Sequence, residues 1–178
     1  MTTLDAGQNI PKITLPTLDG ETATLGQPRG GNDWQLVVVY RGLHCPICKT
    51  YLETLDGMVA KFNEIGVDVL AISGDPEDRA RKMAEEKGLD LALGYDLSLD
   101  QMRDLGLYIS DPRSPEETDR PFAEPGVFVI NAEGKVQIVD ISNAPFARPD
   151  LERLLSGIGF VRDKDYPVRG THHKSLPH

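Results

Sequence analysis

Residues 34–40, WQLVVVY, are apolar at every position but Gln35, with no alternation between polar and apolar positions. A short β-branched run that is apolar on both faces predicts a central strand covered from both sides. Residues 67–73, VDVLAIS, repeat the pattern and predict a second buried strand. Between the two runs, Leu52, Leu55, Val59 and Phe62 recur at spacings of three and four. That period predicts one helix over residues 46–65, with Gly66 as its stop. Upstream, two short β-like runs within residues 13–25 flank the turn dipeptide Asp19-Gly20 and predict an N-terminal hairpin. Residues 26–33, GQPRGGND, form a loop by their Gly and Pro content.

The second half of the chain continues the alternation. Asp75 is expected to cap a charged helix over residues 76–87 that ends at Gly88. Residues 91–96 read as a short strand, and residues 98–107 as a short helix opened by Ser98. Within a polar stretch, residues 110–125, the acidic run SPEETD, residues 114–119, is expected to be a solvated loop. The stretch precedes a hairpin over residues 126–142 whose turn carries Gly134. A last helix begins near Pro149, and residues 167–178 read as an exposed tail. Strands alternating with helices imply an α/β layer structure with parallel pairs, and the closing hairpin adds antiparallel strands. The expected fold class is therefore α/β, a central mixed β-sheet flanked by helices. No repeat, low-complexity tract or linker marks a second unit, so residues 1–178 read as a single domain.

Composition narrows the function classes. A length of 178 residues, 39% hydrophobic and 26% charged, suits one globular domain with a real core. A net charge of -9 argues against nucleic acid as a partner, because phosphate-backbone binding needs clustered Lys and Arg. The first ten residues, MTTLDAGQNI, have no basic segment leading into an apolar one, and the run LVVVY is too short to cross a bilayer. The expectation is a cytoplasmic protein with no membrane partner. In that compartment a close Cys pair is catalytic or metal-binding more often than a structural disulfide.

The chain holds 2 cysteines, both in the stretch RGLHCPICKTYL, where the first buried strand passes into the first helix. A Cys-x-x-Cys at that junction is a redox arrangement with a local physical cause. Pro46 suits the first helical turn, where its missing N–H costs nothing. The free N–H groups and positive dipole end of the helix favour thiolate over thiol. A partner three residues on can capture the new bond as an intramolecular disulfide. Two other readings compete. Structural zinc needs four ligands, and the only candidates to complete a site are His44 and the tail histidines His172, His173 and His178. Alternatively, Cys45 and Cys48 are two packed thiols.

The chain resembles the peroxiredoxin-like, or alkyl hydroperoxide reductase/thiol-specific antioxidant, family of the thioredoxin fold. The resemblance is carried by the opening LPTLDGETATL, the strand LVVVYRG, the CPIC helix, the strand VLAISGD and the closing GVFVINAEGKVQIVD, and it spans residues 10 to about 155. It implies a thioredoxin-like fold and a redox-active enzyme. The family's Pro-x-x-x-Thr-x-x-Cys pattern, set on Cys48, puts Arg41 at the Pro position and Cys45 at the Thr position. The family's activating Arg falls on Pro125, in EPGVF. Both departures are toward thioredoxin, which has Cys at the first of these positions and a cis-Pro at the second.

The resemblance therefore implies a thiol-disulfide oxidoreductase cycling Cys45 and Cys48, which reduces protein disulfides, hydroperoxides or both. It needs no metal and no organic cofactor, only a thioredoxin- or glutathione-type reductant, and it leaves room for a homodimer. Cys45 is expected to face solvent at the helix entrance and to attack disulfides. On peroxiredoxin geometry Cys48 attacks first. Pro125 is expected opposite the sulfurs across a shallow groove, after a cis Glu124–Pro125 bond. Arg41, Arg120 and Arg148 are the candidate activating residues, each competing with an ordinary exposed role. The alternative function is a non-catalytic redoxin domain binding a metal ion or protein partner through the CPIC loop.

Overall fold

A computed structural model describes residues 4–172. The two apolar runs predicted as buried strands form its centre. β3 (Trp34–Val39) and β4 (Val67–Ile72) pair in parallel, and β5 (Ala92–Gly94) extends the sheet in parallel beyond β4. β8 (Gly126–Ile130) lies antiparallel on the other side of β3, with β9 (Val136–Ile141) outside it. The mixed five-stranded order is β5-β4-β3-β8-β9. The expected hairpin at the N-terminus is present as β1 (Thr14–Pro16) and β2 (Thr22–Thr24).

Side chains alternate across a strand, so β3 serves two cores. Leu36 and Val38, followed by Tyr40, face a core with α1 (Pro46–Asp56), α2 (Val59–Glu64), α3 (Glu77–Lys87) and α5 (Leu151–Asp163). Val37 and Val39 face the other core, which holds Leu15 and Ala23 of the hairpin and Met102 of α4 (Leu99–Asp104). Leu36, Val37, Val38 and Val39 are each fully buried. Both cysteines belong to the α1 core, together with Leu52 and Leu55. The Cys-x-x-Cys turn is therefore packed from beneath.

Two expectations are corrected. The helix predicted over residues 46–65 is two helices, α1 and α2, parted at Gly57 and Met58. Glycine is a poor helix former, and beside it Asp56 turns its carboxylate to the N–H groups of Asp90 and Leu91 at 2.9 and 2.8 Å. Asp75 does not cap α3, whose N-cap is Pro76 with no side-chain bond. Its Oδ2 accepts the N–H of Leu43 at 2.8 Å instead, pairing a donor within the redox loop. The acidic run SPEETD lies in a loop, as expected, and the polar stretch around it closes into a small sheet. β6 (Ile109–Ser110) and β7 (Phe122–Ala123) pair antiparallel within it. Ser98 does open α4, through a capping box with Gln101. Residues 167–172 are largely exposed, while His173 and His178 lie outside the described residues. Among the described residues, no helix is long and apolar enough to cross a membrane.

Candidate functional site

The chain leaves β3 through Tyr40 and turns at Gly42, which the structure requires to be glycine. Its φ is +145°, and a Cβ there would meet the Asp75 carboxylate at 2.7 Å. The turn delivers Cys45 to the N-cap of α1, with extended backbone and Pro46 at the first helical position. There the Cys45 sulfur accepts the N–H of Cys48 at 3.3 Å, taking one of the helix's orphan donors. Both cysteines are free thiols. Their exposures are 1% and 0%, so the expectation of a solvent-facing Cys45 is corrected. The apolar face that anchors α1 draws the whole turn into the core, and access does not distinguish the two sulfurs.

Electrostatics does. Cys45 is lowered to about 6, first by the hydrogen bond from the Cys48 thiol. The Cys48 N–H and the nearby Arg41 guanidinium add to this, against the opposing effect of burial. Cys48 is pushed far above the ordinary thiol value, first by its burial and then by the hydrogen bond its thiol donates to Cys45. Arg148 opposes that rise. Its Nη2 donates to the Cys48 sulfur at 2.8 Å, and burial outweighs it. The pair thus gives up one proton readily and holds the second.

The structure places the three candidate arginines differently. Arg148 reaches Cys48 from the loop after β9, its guanidinium 5.0 Å from the Tyr51 ring centre. Tyr51 in turn donates from its hydroxyl to the Pro149 carbonyl at 2.7 Å. Arg41, four residues before Cys45 in the same turn, helps lower its pKa and has Nε 3.2 Å from Glu124 Oε2 and its guanidinium 4.7 Å from the Phe122 ring centre. Arg120 is not brought to the sulfurs. It is bound twice by Asp119, at 3.0 and 3.2 Å.

Pro125 departs from the thioredoxin pattern. Among the described residues there is no cis peptide bond, so the Glu124–Pro125 bond is trans. The backbone on either side is already committed, with the Glu124 N–H on the Tyr108 carbonyl at 2.8 Å and the Pro125 carbonyl on the Ser142 N–H at 3.1 Å. That segment, between β7 and β8, therefore has these two backbone groups already paired within the protein. His44 packs edge-on against Phe122 at 4.6 Å, and burial, then Arg41, lower its pKa. No group of three His, Cys, Asp or Glu side chains among the described residues is arranged to hold a metal ion.

Sequence reasoning missed Glu124, Phe122, Tyr51 and the role of Asp75. Glu124 carries the clearest signal in retrospect, an acid beside apolar Phe122 and Ala123 at the start of a buried strand, and it is 3% exposed.

A profile of the AhpC/TSA family matches residues 6–139. Peroxiredoxin Bcp of Escherichia coli K12 is 29% identical over 143 residues, which cover 78% of this chain and 86% of that protein. A peroxiredoxin-like protein from Aquifex aeolicus superposes with a TM-score of 0.74 at 20% identity, over 90% of both chains. Peroxidoxin BcpB from Mycobacterium tuberculosis gives 0.69 at 18% identity, over 92% of this chain and 99% of its own. The two structures share the thioredoxin-like fold with this chain.

Proposed function

The chain belongs to the AhpC/TSA family, and on that premise we propose a thiol-dependent peroxidase in which Cys45 attacks and Cys48 resolves. One observation carries the order of attack. Cys45 sits at the helix N-cap with its sulfur on the Cys48 N–H at 3.3 Å, where a thiolate is favoured. The thiolate attacks a peroxide oxygen. An S–O bond forms as the O–O bond breaks, and the electron pair leaves on the second oxygen as hydroxide or alkoxide, which takes a proton from solvent. Cys45 is then a sulfenic acid. Cys48 gives up its proton and its thiolate attacks the Cys45 sulfur. The S–S bond forms, and hydroxide departs with that proton as water. Arg148 stabilises the second thiolate as it develops. An external thioredoxin- or glutathione-type reductant returns the disulfide to the dithiol and is itself oxidised.

On this reading residues 1–178 act as one thioredoxin-like domain in the cytoplasm. Hydroperoxide is the oxidant, and the dithiol also serves protein disulfides. The reversed order is favoured by the 2.8 Å contact of Arg148 with Cys48, which gives that sulfur the guanidinium a peroxidatic thiol needs. The test treats Cys45→Ser and Cys48→Ser with hydrogen peroxide, an organic hydroperoxide and a protein disulfide, and locates the oxidised sulfur by mass spectrometry. Sulfenic acid or mixed disulfide on Cys45 in Cys48→Ser, with little on Cys48 in the converse variant, is the expected outcome. Ready sulfenic acid on Cys48 in Cys45→Ser reverses the order.

A further inference from the structure

The segment between α4 and β8 has no role in the chemistry above, yet its folding is specific. β6 and β7 bring Ser110 opposite Phe122. The Ser110 hydroxyl then donates to Glu124 Oε1 at 2.7 Å, and the Glu124 N–H is held by the Tyr108 carbonyl. The result is a residue held by hydrogen bonds at its backbone N–H and at one carboxylate oxygen, on Ser110, with the other oxygen in ionic contact 3.2 Å from Arg41 Nε without a hydrogen bond. It is 3% exposed. A carboxylate this buried is costly without compensation, and Arg41 is its one ionic partner among the described residues. Phe122, two residues earlier, gives the same guanidinium an aromatic face at 4.7 Å. Phe122 of β7 and Glu124 just beyond it therefore converge on one arginine, which leads into the turn ending at Cys45.

We propose that Glu124 is a positioning residue for the attacking thiol: its buried carboxylate, set by Ser110, holds the Arg41 guanidinium beside the Cys45 sulfur. The proposal rests on the reading of Cys45 as the attacking thiol. Glu124 does not touch the sulfur and acts through Arg41. A purely through-space role for the acid has the opposite sign. A negative charge near a thiol disfavours the thiolate, so removing it as a charge alone would lower the Cys45 midpoint. Removing it as an anchor frees Arg41 and raises the midpoint.

The experiment measures iodoacetamide alkylation of Cys45 against pH in the full reduced chain, resolved by peptide mass spectrometry. Glu124→Ala should move the midpoint up by about one pH unit, roughly a tenfold loss of thiolate well below it. Arg41→Met should move it similarly, and the double variant no further than Arg41→Met alone. Glu124→Gln, nearly the same shape, is read by the same sign if Glu124→Ala does not fold. A midpoint that stays or falls overturns the proposal, as does an equal rise from Glu124→Ala in the Arg41→Met background. Thermal unfolding alone does not decide, since a structural loss leaves the midpoint in place. Peroxide turnover measured beside it keeps the two readings apart: no turnover in the unsubstituted protein defeats the peroxidase reading, while the midpoints still judge Glu124.

Discussion

Arg41 and Arg148 attend sulfurs three residues apart, and they are held by opposite means. Arg41 shares a loop with Cys45 and is paired with a buried acid, 3.2 Å from Glu124. Arg148 comes from a loop 100 residues after Cys48, rests on the Tyr51 ring, and has no carboxylate partner among its described contacts. Its Nε and Nη1, like the Nε of Arg41, are buried without hydrogen bonds, so the acid beside Arg41 is what separates the two. An arginine neutralised by an acid supplies mostly geometry. One left uncompensated in a buried place supplies charge, because little solvent screens it. The difference assigns Arg41 to holding the first thiolate in place and Arg148 to making the second one affordable.

The largest way to break this comparison is to remove a sulfur. Cys45→Ser should reduce peroxide turnover to background in a reductant-coupled assay, whereas Cys48→Ser should keep a single stoichiometric oxidation. Turnover surviving in Cys45→Ser would exchange the roles of the two arginines. Next comes Arg148→Met. A hydrogen bond to a charged group contributes about 1.5–3 kcal/mol, so resolution should slow roughly ten- to a hundredfold. The first oxidation should be little changed. Dimedone trapping would then show sulfenic acid accumulating on Cys45, and equal slowing of both steps would end the division of labour.

The third effect is that of pH. Cys45 is lowered to about 6 from its ordinary 9.0, so first-step rates should fall about tenfold per unit below 6 and level off above it. Stability follows the same linkage. Between pH 6 and 9 the unfolded chain binds the proton that folded Cys45 has lost, so the reduced protein should gain stability over Cys45→Ser as pH rises through that window. Above 9 the raised Cys48 reverses the slope, because the folded state then holds the extra proton. Urea unfolding at a series of pH values checks both signs. Arg120→Ala should do least. With its guanidinium spent on Asp119, turnover should stay within error and stability within about 0.5 kcal/mol.

Much of this was legible where physics is local. The strand at residues 34–40 announced itself because both faces are covered, leaving no polar alternation to mislead. Cys45, Pro46 and Cys48 at the helix entrance were legible because capping and dipole effects act within one turn. The break at Gly57 was not, since Leu55, Val59 and Phe62 keep helical spacing straight through it. Asp75 looked like a cap by position, but the part-buried N–H of Leu43, 32 residues earlier, claimed its carboxylate. Glu124 was hidden for the same reason. In sequence it is one more acid after the acidic run SPEETD, and only its contacts with Ser110 and Arg41 set it apart. Arg148 stood among three candidates, and tertiary folding alone chose it.

Exposures of 1% and 0% at the two sulfurs also make the site a sieve. A small oxidant such as hydrogen peroxide needs only a narrow breach, while a protein disulfide needs a wider one. When reaction requires a minor open population, the observed rate is the intrinsic rate multiplied by that fraction. Oxidants of equal chemical reactivity but increasing bulk should therefore fall off by the free energy of opening, not by their contacts once inside. A series graded by size, run on the unsubstituted protein, would read out that hidden equilibrium without any label attached to the chain.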